Sequence, residues 1–385
     1  MQKGSAFLAD GSPFWSNTDI HKRIHKMKKH NFSAGPCILP QSVLEKASRA
    51  VINFDNLDLS LIEISHRSKS FINVMERSQD LALEHLGLQN KGYKALFLQG
   101  GASLEFLMVA YNLLEKKAGY LDTGTWSDKA IKEAKLFGEV DVVASSKDTN
   151  YNQIPKDFTV PSGLDYFHLT SNNTIFGTQI NNFPEVDCPL ICDMSSDIFS
   201  RVLDFSKFDL IYAGAQKNMG PAGTTLIVVK EDILGKVSRV IPSMLDYKVH
   251  LSKDSMFNTP AVFPVYVSML TLEWLKEMGG VANMEKNNNK KAALLYSEID
   301  RNPLFKGFVA NKEDRSKMNA TFTLQNEEYK ETFDTMWTAA GINGLGGHRS
   351  VGGYRASMYN ALPIESVQIL VDVMQELEKK VLEVK

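Results

Sequence analysis

Cysteine is scarce: a chain of 385 residues holds three, Cys37, Cys188 and Cys192. That is too few for a disulfide framework and agrees with a reducing, cytoplasmic setting. The Cys-x3-Cys pair has no His or Cys companion at ligand spacing, so no metal is expected and both thiols read as small buried hydrophobes. No apolar run approaches the ~18 residues of a membrane span. Residues 1–26 also lack the apolar core of ~7–15 residues of a signal peptide, offering only a short run about Phe7, Leu8 and Ala9. A charge excess of one sign is missing too, with 43 Lys and Arg against 45 Asp and Glu, which leaves no basic surplus for nucleic acid. What is present, 43% apolar and 23% charged residues, is the composition of a globular protein long enough for two domains.

Residues 1–26 have no sustained period and are expected to be an appendage, from an upstream start or an artificial extension, with Met27 an alternative first residue. The basic cluster His21, Lys22, Arg23, His25, Lys26, Lys28 and Lys29 reads as a solvated tail rather than an anion-binding or targeting patch. Asn31 to Pro40 is a Gly/Pro-punctuated loop, after which Ser42 is expected to cap a helix. Ala95 to Leu98 reads as a strand, Gln99-Gly100-Gly101-Ala102 as a tight turn and Ser103 as the opening of an apolar helix. A strand, a Gly-Gly turn and a helix start present free backbone N–H groups to a phosphate, although the same pattern is ordinary βα punctuation. Trp126, just before a Ser127 cap, can stack on a flat ring or simply pack in a core.

The stretch Pro189 to Lys230 carries the chemistry. Its apolar runs Leu190–Cys192 and Leu210–Ala213 read as strands, ending at Asp193 and, through Gly214, Ala215 and Gln216, at Lys217. An acid at one strand end and a lysine near the next suit the carboxyl edge of an α/β sheet. They also suit pyridoxal phosphate, which needs a lysine for its Schiff base and an acid for its ring nitrogen. A surface ion pair is the plain alternative. The succession of strands and helical segments argues for a mainly parallel sheet wrapped by helices.

Further on, Tyr247 to Pro260 reads as loop, a helix spans about Val262 to Met278, and Lys286, Lys290 and Lys291 read as the solvated face of the next helix. A composition change at about 280–320 suggests a domain boundary. Asn319 to Leu324 alternates like an edge strand, and Ile364 to Val384 is a strongly amphipathic helix. Gly341 to Ser357 contains a GxG at Gly344 and Gly346, but Arg349 replaces the third small residue and no strand-turn-helix surrounds it, which excludes a dinucleotide fingerprint. The loop instead offers His348, Arg349 and Arg355, and Ile64 to Ser68 offers His66 and Arg67: two basic clusters suited to a doubly anionic substrate, or two surface pairs.

From Asn31 to the C-terminus the chain resembles the phosphoserine aminotransferase family of class V, fold type I pyridoxal-phosphate enzymes. The likeness rests on NFSAGP at 31–36, SHRSKSF at 65–71, QGGAS at 99–103, DTGTWS at 122–127, DMSSDIFSR at 193–201, AGAQKNMGPAG at 213–223, NTPAVFP at 258–264 and GHRSVGGYRASMYNALP at 347–363. It implies an α/β fold: a large domain (43–280) with a mainly parallel seven-stranded sheet, a smaller α/β C-terminal domain (281–385), and a segment 27–42 joining the latter. By the same resemblance, Lys217 carries the Schiff base, Asp193 pairs with the ring nitrogen, Trp126 stacks on the ring and Thr174 bonds its phenolic oxygen. Gly101, Ala102, Ser195 and Gln216 would hold the cofactor phosphate, with Asn258 and Thr259 from the partner of a homodimer. His66, Arg67, His348, Arg349 and Arg355 would bind the substrates' anionic groups, Arg355 the α-carboxylate. Some members have arginine where this chain has Ala102, which shifts substrate phosphate onto the His/Arg pairs. The implied reaction passes the amino group of glutamate to 3-phosphohydroxypyruvate, in serine biosynthesis. Whether 4-phosphohydroxythreonine, on the way to vitamin B6, is also processed stays open. A serine-glyoxylate type aminotransferase, a cysteine desulfurase and a non-catalytic pyridoxal-phosphate binder are the competing readings; the basic pairs disfavour the first two, and a desulfurase should offer a catalytic cysteine on a mobile loop, which Cys37, Cys188 and Cys192 do not resemble.

Overall fold

The structure, a computed structural model, describes residues 29–383. The appendage expected at 1–26 and the basic cluster other than Lys29 lie outside the described residues.

In chain order the strands are β1 (His30–Asn31), β2 (Tyr93–Leu98), β3 (Lys117–Asp122), β4 (Glu139–Ser145), β5 (Tyr166–Thr170), β6 (Leu190–Asp193), β7 (Leu210–Gly214), β8 (Thr225–Lys230), β9 (Phe305–Gly307), β10 (Asn319–Leu324), β11 (Ile342–Asn343) and β12 (Tyr354–Ser357). The helices are α1 (Gln41–Ile52), α2 (Lys69–Leu86), α3 (Gly101–Leu113), α4 (Thr125–Ala134), α5 (Tyr247–Leu251), α6 (Val262–Glu277), α7 (Gly280–Arg301), α8 (Lys330–Ala339) and α9 (Ile364–Glu383).

Seven strands form one sheet in the order β2-β8-β7-β6-β5-β3-β4. The ladders from β7 through β4 are parallel, and β8 runs antiparallel to both its neighbours. All residues of β5, β6 and β7 are buried, as a sheet covered on both faces requires. Alternate residues feed two cores. Phe167, Leu169, Cys192, Ile211 and Ala213 pack with α1, α2 and α6. Tyr120, Tyr166, Ile191, Leu210 and Tyr212 pack with α3 and α4 on the other face. A third core joins α7, α8 and α9 to the antiparallel sheet β12-β10-β9, and takes in Phe32 and Ile38 from the N-terminal segment.

Four local expectations are corrected. Ser42 is not the cap of α1; the helix begins at Gln41 behind Pro40, with no side-chain cap. Ser127 lies inside α4, where its hydroxyl accepts the amides of Thr123 and Gly124, each at 2.9 Å. Strand β10 is the buried middle strand of its sheet rather than an edge, because β9 and β12 cover both its sides. Lys286 and Lys290 are solvated as expected, but Lys291 is buried. It falls on the stripe of Met284, Asn288 and Leu295, and its ammonium donates to the carbonyls of Met358 (3.0 Å) and Tyr359 (2.7 Å). In addition, the segment from Tyr247 is not all loop. It forms α5, and the buried Tyr247 hydroxyl meets the Glu105 carboxyl at 2.5 Å. Burial raises that carboxyl's pKa to about 7.

Candidate active site

Parallel strands bring their carboxyl ends to one edge, and that edge collects Trp126 after β3, Thr174 after β5, Asp193 at the end of β6 and Lys217 after β7. The Lys217 ammonium donates to Thr174 Oγ1 at 3.0 Å and lies 5.7 Å from the centre of the Trp126 ring. Burial lowers its pKa; Asp193 opposes that shift and Arg355 adds to it. Burial likewise raises the pKa of Asp193, with Lys217 and the Ser195 hydrogen bonds pulling it back. One Asp193 oxygen accepts the Ser195 amide at 2.9 Å, and Ser195 Oγ accepts the amide of Gly214 at 3.2 Å. Burial thus moves the two proton affinities toward each other, the acid's upward and the amine's downward.

Arg355, on β12, reaches across from the second sheet. One Nη donates to the carbonyl of Thr174 at 3.2 Å, while its buried Nε has no partner. The buried indole N–H of Trp126 is also unpaired. His348 lies in the adjoining loop, its pKa lowered by burial and by the charges of Arg355, Arg349 and Lys129. Arg349 is exposed in the same loop. The structure therefore unites Lys217, Asp193, Ser195, Thr174, Trp126, Arg355 and His348.

The turn before α3 is shorter than its sequence suggests, the helix opening at Gly101 rather than Ser103. Gly100 and Gly101 take φ values of +109° and +67°, and a Cβ on Gly100 would come within 2.5 Å of Leu104. Gly101 and Ala102 open the helix with no side-chain cap, so its first amides are free for an anion. Gln216 precedes Lys217 and folds its amide against Gly214. Asn258 and Thr259 stand beside Gln99 of the same chain: Asn258 donates to the Gln99 side chain at 3.3 Å, and Gln99 to the Thr259 carbonyl at 3.4 Å. His66 and Arg67 are not brought in. His66 is half-buried with an unpaired Nε2, Arg67 is exposed, and among the described residues no hydrogen bond or ion pair joins either to the Lys217 cluster.

Sequence reasoning missed the N-terminal segment's place here. Gly35 rests against Lys217 and Gln216, the Cys37 amide donates to the Gln216 carbonyl at 3.0 Å, and the Cys37 thiol points to the Lys217 carbonyl. Burial pushes that thiol up to about 12, so it is a hydrogen-bond donor rather than a nucleophile. The Gly-Pro pair at 35–36 signalled a fixed turn but not what it would touch.

These features fit pyridoxal phosphate. A cation placed at Asp193 would offset the cost of burying that carboxylate, and the helix start offers unpaired amides. The Trp126 indole N–H and the Arg355 Nε–H are further donors without protein partners.

The chain matches the family model "Aminotransferase class-V" over residues 29–370. It is 70% identical over 357 residues to phosphoserine aminotransferase of Flavobacterium psychrophilum, covering 92% of this chain and 100% of that protein. The enzyme of the same name from Parabacteroides distasonis is 58% identical over the same shares. Among solved structures, phosphoserine aminotransferase from Bacillus circulans subsp. alkalophilus superposes with a TM-score of 0.88 at 43% identity, over 92% of this chain and 99% of that one. The PLP-bound phosphoserine aminotransferase of Trichomonas vaginalis gives 0.86 at 35% identity, over 90% and 100%. The chain is therefore a class V, fold type I, PLP-dependent aminotransferase, a member of the phosphoserine aminotransferase family.

Proposed function

We propose that the chain transfers the amino group of L-glutamate to 3-phosphohydroxypyruvate, giving 2-oxoglutarate and O-phospho-L-serine, as a step of serine biosynthesis. The observation that carries this reading is the grouping of Lys217, Asp193 and Trp126 at one sheet edge with Arg355 facing them. Pyridoxal phosphate, when bound, supplies an aldehyde that condenses with amines and a ring that takes up the electron pair left by Cα deprotonation. Lys217 Nζ, its basicity lowered by burial and its direction set by Thr174, would take the Cα proton and, with the cofactor bound, give it to the cofactor carbon on the far side of the imine nitrogen. Asp193 holds a proton on the ring nitrogen. Trp126 covers the ring, and the start of α3 with Ser195 and Gln216 seats the cofactor phosphate. Arg355 binds the α-carboxylate in bidentate fashion. His348 and Arg349 bind the distal carboxylate or phosphate, so that one basic set serves both substrates.

A homodimer completes this reading. Ile52, Leu57, Leu59 and Ile62 are 81%, 43%, 49% and 63% exposed just before His66 and Arg67, an apolar stretch that a second copy would cover. His66 and Arg67, unlinked to their own chain's Lys217, would then serve the partner's site, as would Asn258 and Thr259. No helix among the described residues is long and apolar enough to cross a membrane, and three free thiols fit a cytosolic location.

The test is an assay with glutamate and 3-phosphohydroxypyruvate, glyoxylate serving as the competing acceptor. Turnover with the phosphorylated acid, lost in Lys217→Ala, is expected. A preference for glyoxylate, or full activity in Lys217→Ala, would overturn the proposal.

A further inference from the structure

Lys129 lies one helical turn beyond Trp126 on α4, on the same face. Its ammonium sits 4.6 Å from the centre of the Trp126 ring, the ring that Lys217 approaches at 5.7 Å. The next lysine on the helix, Lys132, is engaged by Asp128 at 2.6 Å. Among the described residues no carboxylate lies within ion-pair distance of Lys129.

We propose that Lys129 is a substrate-binding residue of this site, placed by the Trp126 ring to take the phosphate of the phosphorylated 2-oxo acid. The proposal rests on the function read above and names one more anion ligand for it. Three considerations support it. Lys129, His348, Arg349 and Arg355 act electrostatically on one region, and no carboxylate is among the charges felt by His348. Like charges gathered without an acid repel one another, and a bound anion relieves that repulsion. The turn at 99–102 brings backbone amides to the site edge but no charged side chain, so a cation on α4 supplies charge that this turn does not. The indole holds an exposed, flexible ammonium in place through its negative face, which limits the entropy lost when the anion arrives. A phosphate with close to two charges gains more from such a point charge than a carboxylate with one. Lys129 therefore favours the phosphorylated partner over glutamate.

The experiment uses the holoenzyme with Lys129→Gln, Lys129→Arg and Lys132→Gln. In Lys129→Gln, KM for 3-phosphohydroxypyruvate is expected to rise about three- to tenfold, as for a partly exposed charged contact. KM for glutamate should rise less, and the salt dependence of the phosphorylated acid's KM should weaken. Lys129→Arg restores most of the loss, and Lys132→Gln changes neither constant. Independently of turnover, the His348 imidazole, followed by NMR, should titrate higher in Lys129→Gln than in wild type. An unchanged KM for the phosphorylated acid in Lys129→Gln, with wild type turning that acid over, overturns this proposal alone. A wild-type enzyme that ignores the phosphorylated acid overturns the functional reading and this one with it.

Discussion

At the scale of single residues, the site depends on burial setting proton affinities. The charge of Asp193, ahead of Asp197, raises Lys217's basicity against desolvation. Asp193→Asn removes that charge and the partner of the ring nitrogen together, and kcat is expected to fall about 10²- to 10⁴-fold, the usual worth of a positioned acid or base. Steady-state kinetics checks this, and a loss below tenfold would contradict the role given to Asp193. Lys291 offers a pH test away from the chemistry. Burial lowers its pKa to about 7 from the ordinary 10.5. Between those values the unfolded chain holds more proton than the folded one, so stability rises with pH; below about 7 the cost of the buried ammonium is constant. Relative to Lys291→Met, wild type is therefore expected to gain up to about 1.4 kcal/mol per pH unit across that window. Denaturant unfolding of both proteins at several pH values measures it, and parallel profiles would refute it.

At the scale of elements, strands and turns were the legible part of the sequence. Asp193 closes one short apolar run and Lys217 follows another, and a parallel sheet places such ends on one edge; the pattern offered that shared edge beside a plain surface ion pair, and the resemblance chose between them. Partners that come from far along the chain were not legible. Nothing local in Gly35 or Cys37 points to Lys217, some 180 residues away. Lys291 looked like its neighbours Lys286 and Lys290, and only helix phase, fixed by Met284 and Leu295, turns it inward. Lys129 likewise reads as one of several surface lysines until the Trp126 ring is beside it. The glycine-rich loop at 346–353 shows why composition matters there. A Cβ on Gly347 would fall 1.9 Å from the Gly352 carbonyl oxygen, in a hairpin closed by the Gly347 amide to Gly353 carbonyl bond of 2.9 Å. Gly347→Ala is expected to displace His348 and Arg349 and raise KM for both anionic substrates, with the bound cofactor's absorbance unchanged. Kinetics and a visible spectrum together decide it.

At the scale of the molecule, the apolar stretch at 52–62 and the basic pair at 66–67 belong to one prediction. In the proposed dimer, where His66 and Arg67 would serve the neighbouring site, Leu59→Asp with Ile62→Asp is expected to give a monomer in sedimentation, with loss of turnover. A fully active double variant that sediments as a monomer would show each chain to be self-sufficient. The proposed assembly rests on resemblance rather than on pattern, since an exposed Leu or Ile is unremarkable until several stand together.

The two sheets are joined by polar contacts as well as packing. Asn172 donates to Ser196 and to Asn319, each at 2.8 Å, and Ser316 donates to Asn172 at 2.6 Å. Asn319 in turn donates to Ser357 (3.0 Å) and Tyr359 (3.2 Å), and Tyr359 to the Ala34 carbonyl (2.7 Å). Each buried donor has its acceptor on a segment distant in sequence, so replacing one member strands another. Such a web ties the evolutionary fates of its members together. A chimera taking residues 29–280 from one relative and the remainder from another should fold well only when positions 172, 196, 316, 319, 357 and 359 come as a matched set.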